Sequence, residues 1–106
     1  TIALEAGVRN FFSSVLAGNQ KGFALAIKDS GIPREELYIC GSVVSNRAVG
    51  FDKALKATAK GCQENMKEFS AGNIDYLDQI MLDYPGKDAP SVLGQWRAFE
   101  EMAEKG

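Results

Sequence analysis

The sequence predicts an α/β fold in which three strands, each followed by a helix, lie parallel in one sheet. Short apolar segments alternate with segments of helical period along all 106 residues. No shift in composition marks a linker, so we interpret residues 1–106 as a single segment. Strands and helices that alternate in this way form parallel sheets joined by right-handed crossovers.

The first strand and its helix are bounded by glycines. Residues 1–6 are typical of the end of a helix, which Gly7 stops in a left-handed conformation. Residues 8–13 are short and apolar and predict a strand, and the Gly-Asn pair at 18–19 predicts a turn. A helix is expected over residues 20–29.

The second strand is predicted at residues 37–40 and is followed by a polar loop over 41–50. A helix begins at Phe51, and we expect Gly61 within it to mark a close packing contact. The helix has one apolar stripe with spacings of four, three, four, four and three residues. This stripe consists of Phe51, Leu55, Thr58, Cys62, Met66 and Phe69.

The third strand is predicted at residues 74–82, and its apolar end indicates a strand covered on both faces. Ser91, after Pro90, is the expected N-cap of a helix that runs to about Lys105. The predicted stripe of this helix consists of Val92, Trp96, Phe99 and Ala103. We therefore assign Trp96 and Phe99 to the core rather than to a partner-binding surface.

Composition excludes several classes of function. The chain has no histidine, which removes the commonest general base and metal ligand and excludes Ser–His–Asp and Cys–His catalysis within it. Cys40 and Cys62 lack metal or redox spacing, so we expect buried thiols and no metal site. The net charge of −2 argues against nucleic acid. No apolar run approaches the ~20 residues that span a bilayer, and no secretory signal opens the chain.

Other charged residues have ordinary interpretations. Asp75 and Asp78 are expected at the start of a strand rather than as a paired carboxylate site. The helix that begins at Phe51 carries four lysines, which predict a solvated surface, with docking onto an acidic partner as the alternative. These are Lys53, Lys56, Lys60 and Lys67.

Several segments of the chain, taken together, have a distinctive amino-acid sequence. They are Gly-Val-Arg-Asn-Phe-Phe-Ser-Ser at 7–14, Ser-Gly-Ile-Pro-Arg-Glu-Glu-Leu-Tyr-Ile at 30–39, Ile-Asp-Tyr-Leu-Asp at 74–78 and Gly-Gln-Trp-Arg-Ala-Phe-Glu-Glu at 94–101. In this order they resemble segments of the aldo-keto reductases, and their sequences are similar to those of divergent, microalgal-type members. The resemblance implies a partial (β/α)8 TIM barrel, made of three consecutive parallel βα units with the second to fourth strands.

The resemblance also gives the positions of the family's catalytic tetrad. The Asp position corresponds to Phe12, the Tyr position to Ala17, the Lys position to Ser42 and the His position to Asp83. In the family the Tyr protonates the carbonyl oxygen of the substrate as hydride arrives. The Lys, supported by the Asp, lowers the pKa of the Tyr hydroxyl. None of the four substitutes can do this, so we expect no conventional carbonyl reduction by these positions.

The same resemblance places most contacts with the nicotinamide cofactor in later strands. The chain has no glycine-rich phosphate loop. We therefore expect no cofactor to bind to this segment alone, and NADPH to bind only in a longer chain.

Small polar residues are expected to gather at the carboxyl ends of the strands, where barrel sites are built. We identify Ser13, Ser42 and Asp83 as a candidate pocket for a small polar ligand, with Ser14, Ser45 and Asn46 nearby. The alternative is that these residues only solvate the strand ends.

Two hypotheses for function follow. The first is a catalytically inactive, reductase-derived structural or interaction element, possibly a subunit of a larger assembly, because three βα units leave open sheet edges for a protein partner or the rest of a barrel to cover. The alternative is a segment of a longer, divergent NADPH-dependent oxidoreductase that uses Ser42, Tyr84 and Asp83. A soluble location, cytoplasmic or in the plastid stroma, suits either hypothesis.

Overall fold

The computed structural model describes residues 2–105, and for Ala17 it describes the backbone alone. Four helices and three strands alternate along the chain, with short 3-10 turns at Val15–Ala17 and Arg34–Glu36. The elements are α1 (Ile2–Glu5), β1 (Asn10–Phe12), α2 (Gln20–Ser30), β2 (Tyr38–Val44), α3 (Phe51–Ser70), β3 (Gln79–Tyr84) and α4 (Ala89–Lys105).

The three strands form one parallel sheet in the order β1-β2-β3. In β1 and β2, Asn10 pairs with Tyr38, Phe11 with Ile39 and Phe12 with Cys40. The sequential strand order and the helix after each strand confirm the predicted α/β fold of three parallel βα units.

The chain divides into two compact units. The first contains the residues up to Ser42 together with Asn65–Met81, and the second contains Val43–Glu64 and the residues from Leu82 onward. Both β2 and β3, as well as α3, therefore continue from one unit into the other.

An apolar cluster holds the first unit together. The rings of Phe11 and Phe23 lie 5.7 Å apart, and Phe23 meets Phe69 edge-on at 6.1 Å. Gly72 lies so close to α2 that a Cβ atom there would be 2.0 Å from the carbonyl oxygen of Ala24. The buried members of the cluster are Leu4, Ala24, Ile27, Leu37, Ile39, Phe69 and Ile74.

In the second unit, α3 packs closely on the end of β2. A Cβ atom on Gly61 would lie 2.5 Å from Cγ1 of Val43, which confirms the predicted close contact. Ala54 and Thr58 have no exposed surface on the same helix. Cys62 is also buried, and Cys40 in the first unit is likewise a buried cysteine, as predicted.

The predicted loop at residues 41–50 is wrong at its start, because β2 extends to Val44. The error comes from small and polar residues that sequence patterns assign to loops. Gly41 and Ser42 are buried, and the side chain of Asn65 hydrogen-bonds both backbone groups of Ser42. A central strand is normally recognised in sequence by its hydrophobic residues. Here hydrogen bonds with the Asn65 side chain of α3 hold the strand instead.

The third strand is shifted relative to the prediction of 74–82 and runs from Gln79 to Tyr84. Ile74 instead closes the turn after α3, because its N–H donates to the carbonyl oxygen of Phe69. The expected burial on both faces is also wrong for the described chain, since Met81 is 39% exposed.

The predicted stripe of α3 is confirmed at Thr58, Cys62 and Phe69, which are buried, but not at its start, whereas the predicted stripe of α4 is out of phase. On α3, Phe51 is exposed and Ala54 is buried in its place. On α4, Trp96 is 58% exposed, which contradicts its assignment to the core, and Phe99 is half-buried beside it. The buried face of α4 consists of Ser91, Gly94, Gln95 and Ala98.

The predicted N-cap of α4 is also wrong. The helix begins at Ala89, and the carboxylate of Asp88 accepts a hydrogen bond from the backbone N–H of Ser91 at 3.0 Å. Ser91 is therefore in the first turn, and its hydroxyl accepts a hydrogen bond from the Gly50 N–H at 3.0 Å. This partner explains why a serine occupies a buried position.

Candidate functional site

Two of the predicted pocket residues, Ser13 and Ser42, lie in the first unit at the carboxyl ends of β1 and β2. Both are buried, and Ser42 has no exposed surface. The Ser42 hydroxyl oxygen accepts a hydrogen bond from the Val15 N–H at 2.9 Å, and the Ser13 hydroxyl donates to Asn19 Oδ1 at 3.2 Å. Both hydroxyls therefore hold the loop between β1 and α2.

Two buried amide side chains complete this first polar cluster. Gln20 Nε2 donates to the Ser13 carbonyl oxygen at 3.0 Å and to Asn65 Oδ1 at 2.8 Å. Asn65 Nδ2 in turn donates to the Ser42 carbonyl oxygen at 2.7 Å. The cluster satisfies the backbone at both strand ends internally, which is the usual requirement for buried polar groups.

The resemblance assigns two further residues of this unit, Phe12 and Ala17, to tetrad positions. Phe12, at the end of β1, is 51% exposed. Ala17 belongs to a 3-10 turn, and its side chain lies outside the described residues. Nearby, a pocket of about 200 Å³ is lined by Val15, Gly18, Gln20 and Glu68.

The remaining pocket residue, Asp83, lies in the second unit near the end of β3 and is half-buried. Tyr84 ends the strand and is 52% exposed. Ser13 and Ser42 share one polar cluster, and Asp83 belongs to a different unit from them. The three-residue pocket stays a prediction.

The second unit contains its own buried amide, Gln95, which has no exposed surface. Its Nε2 donates to the Ser45 hydroxyl at 3.0 Å and to the Tyr84 carbonyl oxygen at 3.4 Å. Its Oε1 accepts a hydrogen bond from the Gly86 N–H at 2.8 Å. The Ser45 and Thr58 hydroxyls are 2.7 Å apart and hydrogen-bonded.

The sequence analysis missed Gln20, Asn65 and Gln95 because it assigned buried faces from apolar residues alone. A signal was available for Asn65, which lies three residues after Cys62 and four before Phe69. A polar residue at such a stripe position must find a partner when it is buried. Gln95 offers no comparable signal, because the predicted stripe of its helix is out of phase by one residue.

At the opposite, amino ends of the strands, Asp78 forms an ion pair with Arg34 at 2.7 Å. The Asp78 carboxylate also accepts a hydrogen bond from the Ile39 N–H at 2.8 Å. Burial acts to raise the pKa of Asp78, but the hydrogen bonds from Ile39 and Arg34 and the charge of Arg34 outweigh it and lower the pKa. Asp78 lies directly before β3, as predicted, whereas Asp75 lies earlier, in the segment between α3 and β3.

Within residues 2–105, no group of three His, Cys, Asp or Glu side chains is placed to hold a metal ion. The same stretch contains no helix that is both long and apolar enough to cross a membrane. All four lysines of α3 are exposed, as predicted.

Curated relatives match almost the whole chain. It is 33% identical over 104 residues to a glyoxal reductase of Bacillus subtilis. This match covers 98% of this chain and 34% of the relative. It is 30% identical over 103 residues to a 9,11-endoperoxide prostaglandin H2 reductase of Trypanosoma cruzi, covering 97% of this chain and 33% of the relative. The chain thus spans about a third of the length of these relatives. No family model matches it.

Solved structures give the same result. An aldo-keto reductase from a Medee basin deep-sea metagenome library superposes with a TM-score of 0.77 at 33% identity, covering 98% of this chain and 35% of that structure. An aldo/keto reductase from Brucella melitensis has a TM-score of 0.78 at 29% identity, covering 98% and 38%. The fold therefore corresponds to part of a (β/α)8 TIM barrel. The chain is homologous to the aldo-keto reductases and corresponds to about a third of their length.

Proposed function

We propose that this chain forms part of an NADPH-linked aldo-keto reductase that reduces a carbonyl group. The observation that carries the proposal is the match of 98% of the chain to a relative named as a glyoxal reductase. When bound, the nicotinamide cofactor supplies the hydride. The chain has no glycine-rich phosphate loop, so in this proposal the cofactor phosphates bind to residues outside residues 1–106.

A reductase of this kind needs a proton donor, because the carbonyl oxygen takes up a proton as hydride adds to the carbon. The tetrad positions offer Phe12, Ala17, Ser42 and Asp83, and the Ser42 hydroxyl is fully buried. Tyr84 is a phenol directly after the Asp83 position, and it is 52% exposed at the carboxyl end of β3. Barrel enzymes place reacting groups at that end of the strands. In this proposal Tyr84 donates the proton and recovers it from water.

Activity of the natural protein that contains this chain tests both parts of the proposal. We expect tight NADPH binding and NADPH-dependent reduction of a dicarbonyl such as glyoxal. Tyr84→Phe should lower kcat by about 100-fold, because the proton donor is lost. Tyr38→Phe is the matched control, since Tyr38 is an exposed phenol at the amino end of β2.

The outcomes separate the two parts. Absence of NADPH binding and of turnover would rule out the reductase. Turnover that survives in Tyr84→Phe would keep the reductase and reject Tyr84 as the donor.

A second candidate is a non-catalytic structural or interaction element derived from a reductase. It is favoured by the replacement of all four tetrad positions and by the hydrogen bonds that engage the Ser13 and Ser42 hydroxyls inside the chain. This candidate predicts that the natural protein neither binds NADPH nor reduces a dicarbonyl. Measurements of NADPH binding and of dicarbonyl reduction therefore discriminate the two functions directly.

A further inference from the structure

We infer that Gln95 is a positioning residue that fixes Tyr84 at the carboxyl end of β3. This inference rests on the proposed function, because it concerns how the proposed proton donor is held. All the residues that carry it lie in the second unit.

The hydrogen bonds of Gln95 bracket the turn that contains Tyr84. Its amide donates to the Tyr84 carbonyl oxygen and accepts from the Gly86 N–H, so one side chain binds the backbone on both sides of Pro85. Pro85 has no N–H of its own to donate. Two of the backbone groups that define this turn are therefore held by a single amide.

The orientation of the Gln95 amide is itself fixed. Nε2 also donates to the Ser45 hydroxyl, which is hydrogen-bonded to the Thr58 hydroxyl on α3. Rotation of the amide by half a turn would place Nε2 against the Gly86 N–H and Oε1 against the Tyr84 carbonyl oxygen, pairing donor with donor and acceptor with acceptor. The observed orientation is the one that satisfies every partner.

Space around the turn is equally restricted. A Cβ atom on Gly86 would lie 2.6 Å from Cβ of Ser91, one turn before Gln95 on α4. Ser91 also accepts a hydrogen bond from Gly50, at the end of the loop that follows β2. Helix α4 thus holds the loops at the carboxyl ends of two strands through Ser91 and Gln95. In barrel enzymes these are the loops that form the active site.

The test uses the natural protein with Gln95→Met, which keeps the length of the side chain and removes its hydrogen bonds. We expect kcat to fall roughly tenfold or more, because small displacements of a reacting group have large effects. We expect NADPH affinity to stay within about twofold, since the proposed cofactor site lies elsewhere. Gln63→Met is the control, because Gln63 is exposed on α3.

A double mutant separates positioning from a general structural effect. If Gln95 acts through Tyr84, then Gln95→Met should add almost nothing in the Tyr84→Phe background. If the two losses multiply instead, the inference is overturned. It is also overturned if Gln95→Met retains the kcat of the unmodified protein.

Hydrogen exchange gives a readout that does not depend on turnover. The Gly86 amide should exchange roughly tenfold faster in Gln95→Met, and unchanged exchange would overturn the inference. If Gln95→Met fails to fold, Ser45→Ala removes one acceptor of the amide and should change kcat and Gly86 exchange in the same direction. An unmodified protein that binds no NADPH and shows no turnover would reject the proposed function, while Gly86 exchange would still test how the turn is held.

Discussion

At the level of single residues, Arg34 illustrates how one charged side chain can hold a strand end. Its guanidinium lies 3.9 Å from the centre of the Tyr76 ring and donates to the carbonyl oxygens of Leu37 and Tyr76. It also forms an ion pair with Asp78, whose carboxylate accepts a hydrogen bond from the Ile39 N–H. These contacts fix the segment before β3 to the start of β2.

Asp78→Asn tests the stabilising effect of this arrangement. The amide keeps the shape but loses the charge, so we expect the free energy of unfolding at pH 7 to fall by about 1 kcal/mol, a value reduced for partial exposure. Urea unfolding of the natural protein measures this change. Glu35→Gln, an exposed carboxylate in the turn before β2, is the matched control and should have almost no effect.

The pH dependence follows from the lowered pKa of Asp78. Because the folded pKa lies below the unfolded value of about 3.9, the stabilisation is complete above that pH. It is lost as the pH falls through the folded pKa. The stability difference between the unmodified protein and Asp78→Asn should therefore be constant from about pH 5 to 7 and shrink below about pH 4. A difference that grew at low pH would contradict the assignment.

At the level of secondary structure elements, glycines allow neighbouring segments to approach closely, as Gly61, Gly72 and Gly94 show. Gly61 meets Val43 of β2, Gly72 meets the backbone of Ala24 in α2, and a Cβ atom on Gly94 would lie 2.3 Å from the carbonyl oxygen of Phe51. Two of these three neighbours are backbone atoms, which cannot move aside as a flexible side chain can. The separations between these elements are therefore set by the absence of a side chain.

Gly72→Ala should destabilise the protein by about 1–3 kcal/mol, because the added methyl group collides with the Ala24 carbonyl. Gly22→Ala is an informative control, since Gly22 is exposed on α2 and a Cβ atom there meets nothing within 4 Å. This variant should stabilise the protein by about 0.5 kcal/mol through helix propensity. Equilibrium unfolding measures both changes, and equal effects of the two alanines would refute this account.

The sequence predicts the positions of the secondary structure elements better than it predicts which of their faces are buried. Helical period and glycine positions predict α2 and α3 almost to the residue, because these signals are local. The face of α4 is predicted wrongly, since it is formed by residues such as Ser91 and Gln95 whose burial depends on distant partners. For the same reason the final residues of β2 resemble a loop in sequence, although Asn65 holds them in the sheet.

At the level of the whole molecule, the two compact units share three continuous elements, β2, α3 and β3. Unfolding of one unit therefore removes part of each strand and helix that the two units share. We expect the two units to unfold together in a single cooperative transition.

The two buried cysteines provide a direct test, because Cys40 lies in the first unit and Cys62 in the second. Burial raises the pKa of the Cys62 thiol to about 11, so its reaction with a thiol reagent near pH 8 should be slow until it is exposed. Both cysteines should become reactive at the same urea concentration when labelling is followed by mass spectrometry. Ala103→Cys, at an exposed position on α4, controls for reagent activity and should react without urea. Two separate midpoints would show that the units open independently.

The candidate site was predictable from the sequence only in part. The resemblance to aldo-keto reductases predicts the tetrad positions, and two of the residues that it assigns, Ser42 and Asp83, lie near the carboxyl ends of their strands. The hydrogen bonds of Gln95 to Tyr84 and Gly86 could not be predicted, because they join residues eleven and nine positions apart across a turn of irregular backbone.

The ion pair between Arg34 and Asp78 lies at the amino ends of the strands, whereas the amide of Gln95 acts at a carboxyl end. No residue takes part in both sets of contacts, so we expect substitutions at the first to leave the hydrogen bonds of the second unchanged. Under the proposed function, the chain could therefore accumulate destabilising changes around the proposed reacting end and regain stability from the ion pair. Such a separation permits selection to explore new chemistry on this scaffold without loss of the folded state.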